Sequence, residues 1–195
     1  MIWWARVRLV AVTSTLMIGL LIASMAAEDT KLPMPSLVGE STIPVPLPFL
    51  TPLAVVSAAV AGLERGDRRL GSTSSRLRGV DLAFLVGLFL VGALVPGITE
   101  VLGDSGMGGA FVRNLAGYLG LGLIARHYLG GPVATVVPVV FVLFCTAVGL
   151  DASRRPRPWA WPLAPADDLG AAAVCVVLGV AGLYAVTRPR ATVGA

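Results

Sequence analysis

Arg113 and Asn114 form the sharpest polar pair in a chain whose apolar runs leave little other chemistry to find. They stand near the start of FVRNLAGYLGLGLIARHYLGG, and two roles suit them. A guanidinium beside a carboxamide can make a polar contact near a transport path or a gate. It can equally be a snorkelling arginine next to a helix-capping asparagine. The other reactive residue types lack partners. His127 is the one histidine, and neither Cys145 nor Cys175 is spaced with it as zinc ligands are. A hydrolase needs a nucleophile and a base within reach, and the sequence offers His127 no evident companion. Lys31, the one lysine among 15 basic residues, follows no glycine pattern of a phosphate-binding loop. The chain is therefore not itself a P-loop ATPase, and no catalytic, metal or cofactor site is expected. Both cysteines lie deep in apolar runs and read as small buried hydrophobes, not as a disulfide.

The elements that must position these residues are read from composition. Of 195 residues, 56% are hydrophobic and only 13% charged, with a mean hydropathy of +0.84. Soluble domains carry about 25% charged residues, so the chain reads as an all-α, polytopic membrane helix bundle in a single transmembrane domain. Six transmembrane helices are expected, at roughly 9–27, 47–63, 81–99, 110–128, 131–150 and 168–187. The first reads as a retained helix behind Arg6 and Arg8, with Trp3 and Trp4 as interfacial anchors; a cleaved signal peptide is the rival. Between it and the second span, EDTKLPMPSLVGESTIPVPLP is rich in proline. The alternation at Pro44, Pro46 and Pro48 predicts an extended polyproline loop.

The second span is short, with Pro52 in its first turn and a stripe of small residues at Ala54, Ala58 and Gly62. Between Arg113 and Arg126 lie only 12 uncharged residues, about 18 Å of helix, which crosses only if both arginines snorkel. Ala116, Gly117, Gly120 and Gly122 suit this segment to close packing in the bundle. A five-span arrangement, in which 109–130 only dips into the interface, is the alternative. In the fifth span Pro132 and Pro138 predict a kink, and Trp159 and Trp161 in PWAWPL read as an aromatic belt at the bilayer surface.

Charge sets orientation. With six spans and a cytoplasmic N-terminus, Arg6, Arg8, the five arginines of ERGDRRLGSTSSRLRG, Arg126, Arg188 and Arg190 lie inside. Lys31, Arg113, Arg154, Arg155 and Arg157 lie outside. That bias follows the positive-inside rule, and it explains the net charge of +4 without nucleic acid as a partner. Five spans give the same bias, so charge fixes the N-terminus and leaves the C-terminus open. The basic loop reads either as purely topogenic or as a docking surface for a cytoplasmic partner. No Asp, Glu or Lys stands mid-span, which counts against an ion-coupled transporter.

RNLAGYLGLGLIAR from Arg113, PVVFVLFCTAVG from Pro138 and PWAWPLAPADD from Pro158 resemble a family of small actinobacterial membrane proteins described as ABC-transporter permease subunits. VPLPFLTPLAVVSAAVAGLERGDRRL resembles that family's second span and the loop after it. More distantly, the family is similar to the membrane halves of type-2 ABC exporters. The resemblance implies a homodimer or heterodimer of membrane subunits in the lipid bilayer of the plasma membrane, working with a separate cytoplasmic P-loop ATPase. It implies that Glu64, Arg65, Asp67, Arg68 and Arg69 face that ATPase, and that the 154–168 loop lies outside near the exit. A lipid, peptide or drug-like substrate would be exported. The alternative from a different class is a non-transporting membrane scaffold, or accessory subunit, of a secretion or cell-envelope complex.

Overall fold

The computed structural model describes residues 5, 9–26, 30–37, 42–70, 75–101, 107–130, 133–151 and 153–188. In chain order these form α1 (Val10–Ala26), β1 (Lys31–Pro35), β2 (Thr42–Pro46), α2 (Leu47–Leu70), α3 (Ser75–Val101), α4 (Met107–Tyr128), α5 (Val133–Val148), a 3-10 turn (Trp161–Leu163) and α6 (Leu169–Thr187). Each expected span overlaps one helix, and α2 and α3 run past the bounds expected for them. Among the described residues, three stretches are long and apolar enough to cross a membrane: Leu47–Asp67, Leu77–Leu94 and Leu169–Thr187. Helices α1 and α5 are apolar but shorter. Trp3, Trp4, Arg6, Arg8 and Arg190 lie outside the described residues.

Helix α4 is the axis of the bundle. Ala110, Phe111, Leu115, Tyr118, Leu119, Leu123 and Ala125 are all buried, and they point around more than one side of the helix. A helix enclosed by protein needs no lipid-facing stripe, which is why α4 can be rich in glycine and carry Arg113 and Asn114. Its 22 residues span about 33 Å. Near its start it meets Phe49 of α2, and near its end it meets Glu64 and Asp67 of the same helix, so α2 and α4 run parallel through the bundle. Most of the large exposed apolar residues stand on the outer helices, among them Ile18 and Ile22 of α1, Leu90 and Leu94 of α3, Val140 and Phe144 of α5, and Val177 and Val180 of α6.

Glycine sets the closest crossing. A Cβ on Gly120 would lie 2.2 Å from the backbone of Leu178, and one on Gly182 would lie 2.6 Å from Gly120 Cα. Backbone cannot give way as a side chain can, so α4 and α6 meet main chain to main chain. Of the expected stripe on α2, Gly62 is buried and Ala58 half-buried. Ala54 is exposed, and α2 also buries Val55, Val56, Ala59, Val60 and Leu63.

The proline-rich connection differs from the polyproline expectation: it is an antiparallel hairpin pairing Leu32 with Val45 and Met34 with Ile43. The reason lies in parity. Pro33, Pro35, Pro44 and Pro46 all occupy the alternate set of pairs, so their missing N–H groups fall where no ladder bond is made. Leu47 N donating to Thr30 O at 3.0 Å continues the bonded set. The same prolines deprive both outer edges of donors. Val45 of the hairpin packs with Phe49 and Ala110, and Leu37 N donates to Ala147 O at 2.9 Å, which joins the hairpin to the end of α5.

The basic stretch is also not a long loop. Helix α2 continues to Leu70 and α3 begins at Ser75, so most of those arginines extend the two helices. At the far end of α4, Gly130 adopts φ +61°, a left-handed conformation suited to ending a helix.

Candidate functional site

Two polar clusters, one at each end of α4, hold Arg113, Glu64 and Arg126, three of the four charged residues buried among the described residues; Asp81 of α3 is the fourth. The first cluster is at the end that carries the hairpin. Pro52 has no N–H for the Pro48 carbonyl, so the first turns of α2 open. Thr51 Oγ1 donates to Pro48 O at 3.4 Å, and Phe49 O turns to α4. There it accepts from Tyr118 OH at 3.0 Å and Asn114 Nδ2 at 3.3 Å. Asn114 Nδ2 also reaches Pro162 O at 3.2 Å. Arg113 spreads its donors over the loop before α6: Nη1 to Pro165 O at 2.5 Å, Nη2 to Ala164 O at 2.9 Å, and Nε to Asn114 Oδ1 at 3.2 Å. Its guanidinium lies 6.0 Å from the Phe49 ring centroid.

This clamp answers the backbone needs of a proline-rich loop. Carbonyls at 162 and 164 lie outside any regular ladder and need donors, Pro165 O also accepts from Asp168 N at 3.2 Å, and a planar guanidinium serves the carbonyls at 164 and 165 at once. The loop then enters α6 through Asp168, whose side chain accepts from Ala171 N at 3.0 Å as an N-cap. Asn114 does not cap a helix, and Arg113 is engaged by loop carbonyls. Both are buried, and Asn114 sits inside the helix.

Trp161 differs from the belt expected of it. It is buried, 5.1 Å from the Tyr118 ring and 5.7 Å from the Phe141 ring, over Gly117. A Cβ on Gly117 would lie 2.5 Å from the indole. Trp159 is exposed at 37% and pairs with Phe144 at 5.3 Å, an arrangement suited to an interface.

The second cluster is at the opposite end. Arg126 of α4 faces two carboxylates of α2, with Nε 3.2 Å from Glu64 Oε1 and Nη2 2.5 Å from Asp67 Oδ2. The three side chains are only 10%, 6% and 11% exposed. Glu64 and Asp67 therefore turn inward, while Arg65 is exposed beside them. The side chains of Arg68 and Arg69 lie outside the described residues. Nearby, Arg78 Nη1 donates to Thr187 O at 3.2 Å, tying α3 to the last turn of α6. His127 stacks edge-on against Tyr128 at 4.9 Å.

Tyr118 is the member that sequence reasoning did not single out, while Arg126, expected to snorkel, instead pairs with Glu64 and Asp67. The i, i+4 spacing of Asn114 and Tyr118 was the available signal for Tyr118, since it puts both on one helix face. Among the described residues, no group of three or more His, Cys, Asp or Glu side chains is placed to hold a metal ion. Cys145 and Cys175 are both free and buried. No family model matches this chain, and no curated protein or solved structure is significantly similar to it.

Proposed function

We propose that the chain is the membrane subunit of an ABC-type transport complex, with ATP hydrolysis supplied by a separate cytoplasmic P-loop ATPase. All six helices then cross the plasma membrane, the N-terminus is inside, and a second membrane subunit, identical or not, completes the unit. A lipid, peptide or drug-like substrate moves outward. The observation that carries this reading is the Arg126–Glu64–Asp67 junction. Buried ion pairs are poor sources of net stability, and where they are kept they fix geometry. Here the junction fixes the inner end of α2 to the inner end of the axial helix. Arg65 is exposed beside it and available to a partner. A displacement of α2 by an ATPase would pass through Arg126 into α4, and from α4 through Arg113 and Asn114 to the 162–165 loop. That chain of contacts joins an energy input on one side to a loop on the other.

A non-transporting scaffold is the second reading, and one observation favours it. The donors of Arg113 and Asn114 that face the loop are engaged by backbone carbonyls, as they would be in a bundle built only to be rigid. Purification of tagged protein from its native membrane in mild detergent, with partners identified by mass spectrometry, separates the two. A stoichiometric P-loop ATPase supports transport. Envelope or secretion proteins without an ATPase sink it in favour of the scaffold.

A further inference from the structure

At the end of the bundle that carries the Arg113 clamp, an open groove of about 370 Å³ lies between the hairpin and the loop that joins α5 to α6. Ile43 and Val45 line it from the hairpin, Leu150 and Leu163 from the loop, and Phe49 from the start of α2. Arg154 is the one charged residue in the lining. The two sides already share a root. Val45, Phe49 and Ala110 form a small buried cluster, and both Ile43 and Leu163 pack against it while remaining half-buried. This cluster is separate from the main core, with Leu50 packed against both. Closing the groove would take Ile43 and Leu163 out of solvent and enlarge a cluster that both already touch.

The way the hairpin is attached allows that movement. β2 ends at Pro46 and α2 begins at Leu47, so no linker intervenes and the hairpin turns on the first turns of α2. There Pro52 withholds an N–H from Pro48 O, and Thr51 Oγ1 reaches that carbonyl at 3.4 Å, beyond the usual range for a hydroxyl donor. A helix bends most readily where its ladder is interrupted in this way. Phe49, within those turns, is held to the axial helix by Tyr118 OH at 3.0 Å and Asn114 Nδ2 at 3.3 Å, which fixes the pivot. Beyond it the hairpin would move as one piece, because Leu47 N donates to Thr30 O at 3.0 Å and the ladder pairs β1 with β2 from Lys31 to Pro35. Leu37 N, donating to Ala147 O at 2.9 Å, tethers the chain just past β1 to α5 and limits the swing.

We propose that the hairpin is a hinged cap, which pivots on the first turns of α2 and closes the groove by bringing Ile43 against Leu150 and Leu163. The cap depends on neither an ATPase partner nor transport, so its failure is distinguishable from theirs. The test is the distance between Thr42 of the hairpin and Ser153 of the loop, both exposed, each replaced by cysteine and spin-labelled in full-length protein in detergent. Cys145 and Cys175 are buried and stay unlabelled. Pulsed electron spin resonance is expected to show two distances, one for the open groove and a shorter one for the closed. Ile43→Trp, which fills the groove with an indole, should shift their ratio toward the longer distance by at least about fivefold. Pro52→Ala returns a donor to Pro48 O and should reduce the two distances to one. A single distance in the wild type, as a rigid or permanently filled groove would give, would overturn the proposal. So would a ratio that Ile43→Trp leaves unchanged, and wild-type populations in Pro52→Ala would overturn the pivot.

Discussion

Replacing Arg113 by methionine keeps the length of the side chain and removes its charge and donors. The bond from Nη2 to Ala164 O is buried and 2.9 Å long, so it counts in full at about 1.5–3 kcal/mol, the usual net value for a charged donor. Pro165 is exposed, and its carbonyl can be rehydrated, so the 2.5 Å bond to it contributes about half as much. Relief of the desolvated guanidinium offsets part of the loss. About 3 kcal/mol remains, which corresponds to roughly 6–12 °C in Tm on the scaling for chains of this length. Thermal unfolding in detergent measures it, and limited proteolysis within 151–168 should rise in parallel as the loop loses its anchor. Under the proposed transport role, transport measured below the lowered Tm should persist. A Tm within about 2 °C of the wild type, or a loss of transport at unchanged stability, would refute the clamp and make Arg113 a pathway residue.

Arg126→Leu removes the guanidinium that Glu64 and Asp67 both face, and should destabilise by about 3–5 kcal/mol. The triple change of Arg126, Glu64 and Asp67 to leucine should recover most of that in chemical denaturation, and no recovery would mean the three do not act as a unit. Gly120→Ala places a methyl 2.2 Å from the Leu178 backbone and should cost at least about 2 kcal/mol. Gly87→Ala, where nothing lies within 4 Å, should be neutral or stabilise by up to about 1 kcal/mol, and equal effects at the two positions would contradict the crossing. Cys145 and Cys175, each 0% exposed, should resist a maleimide in the folded protein and react after denaturation; rapid labelling of either would show that the core is open there.

Helix positions were legible because an apolar run long enough to bury itself declares its length. The hairpin was not, since proline is read as a strand breaker and only pairing reveals that Pro33, Pro35, Pro44 and Pro46 share one parity. The axial place of α4 was hidden by the same residues that make it possible. Glycine, Arg113 and Asn114 lower its hydropathy and make it look interfacial, while in the fold they face other helices. Arg113 and Asn114 stand out in the sequence as polar residues, but their acceptors are backbone carbonyls about 50 or more residues away, and carbonyls leave no mark in a sequence. For the same reason Trp161 read as a belt residue: its partners, Tyr118 and Phe141, are set by tertiary packing. Glu64, Asp67 and Arg126 were visible as charges, and what could not be seen was that two helices bring them to one point.

Arg65 offers the most direct measurement, because it is exposed beside the Arg126–Glu64–Asp67 junction at the end of α2. A photoreactive amino acid placed at position 65, irradiated in native membranes, reports what that end of the helix touches. Transport by the proposed route predicts a cross-link to a P-loop ATPase, weakened when Arg126→Leu loosens the junction. Cross-links confined to lipid, or to envelope and secretion proteins, would contradict it.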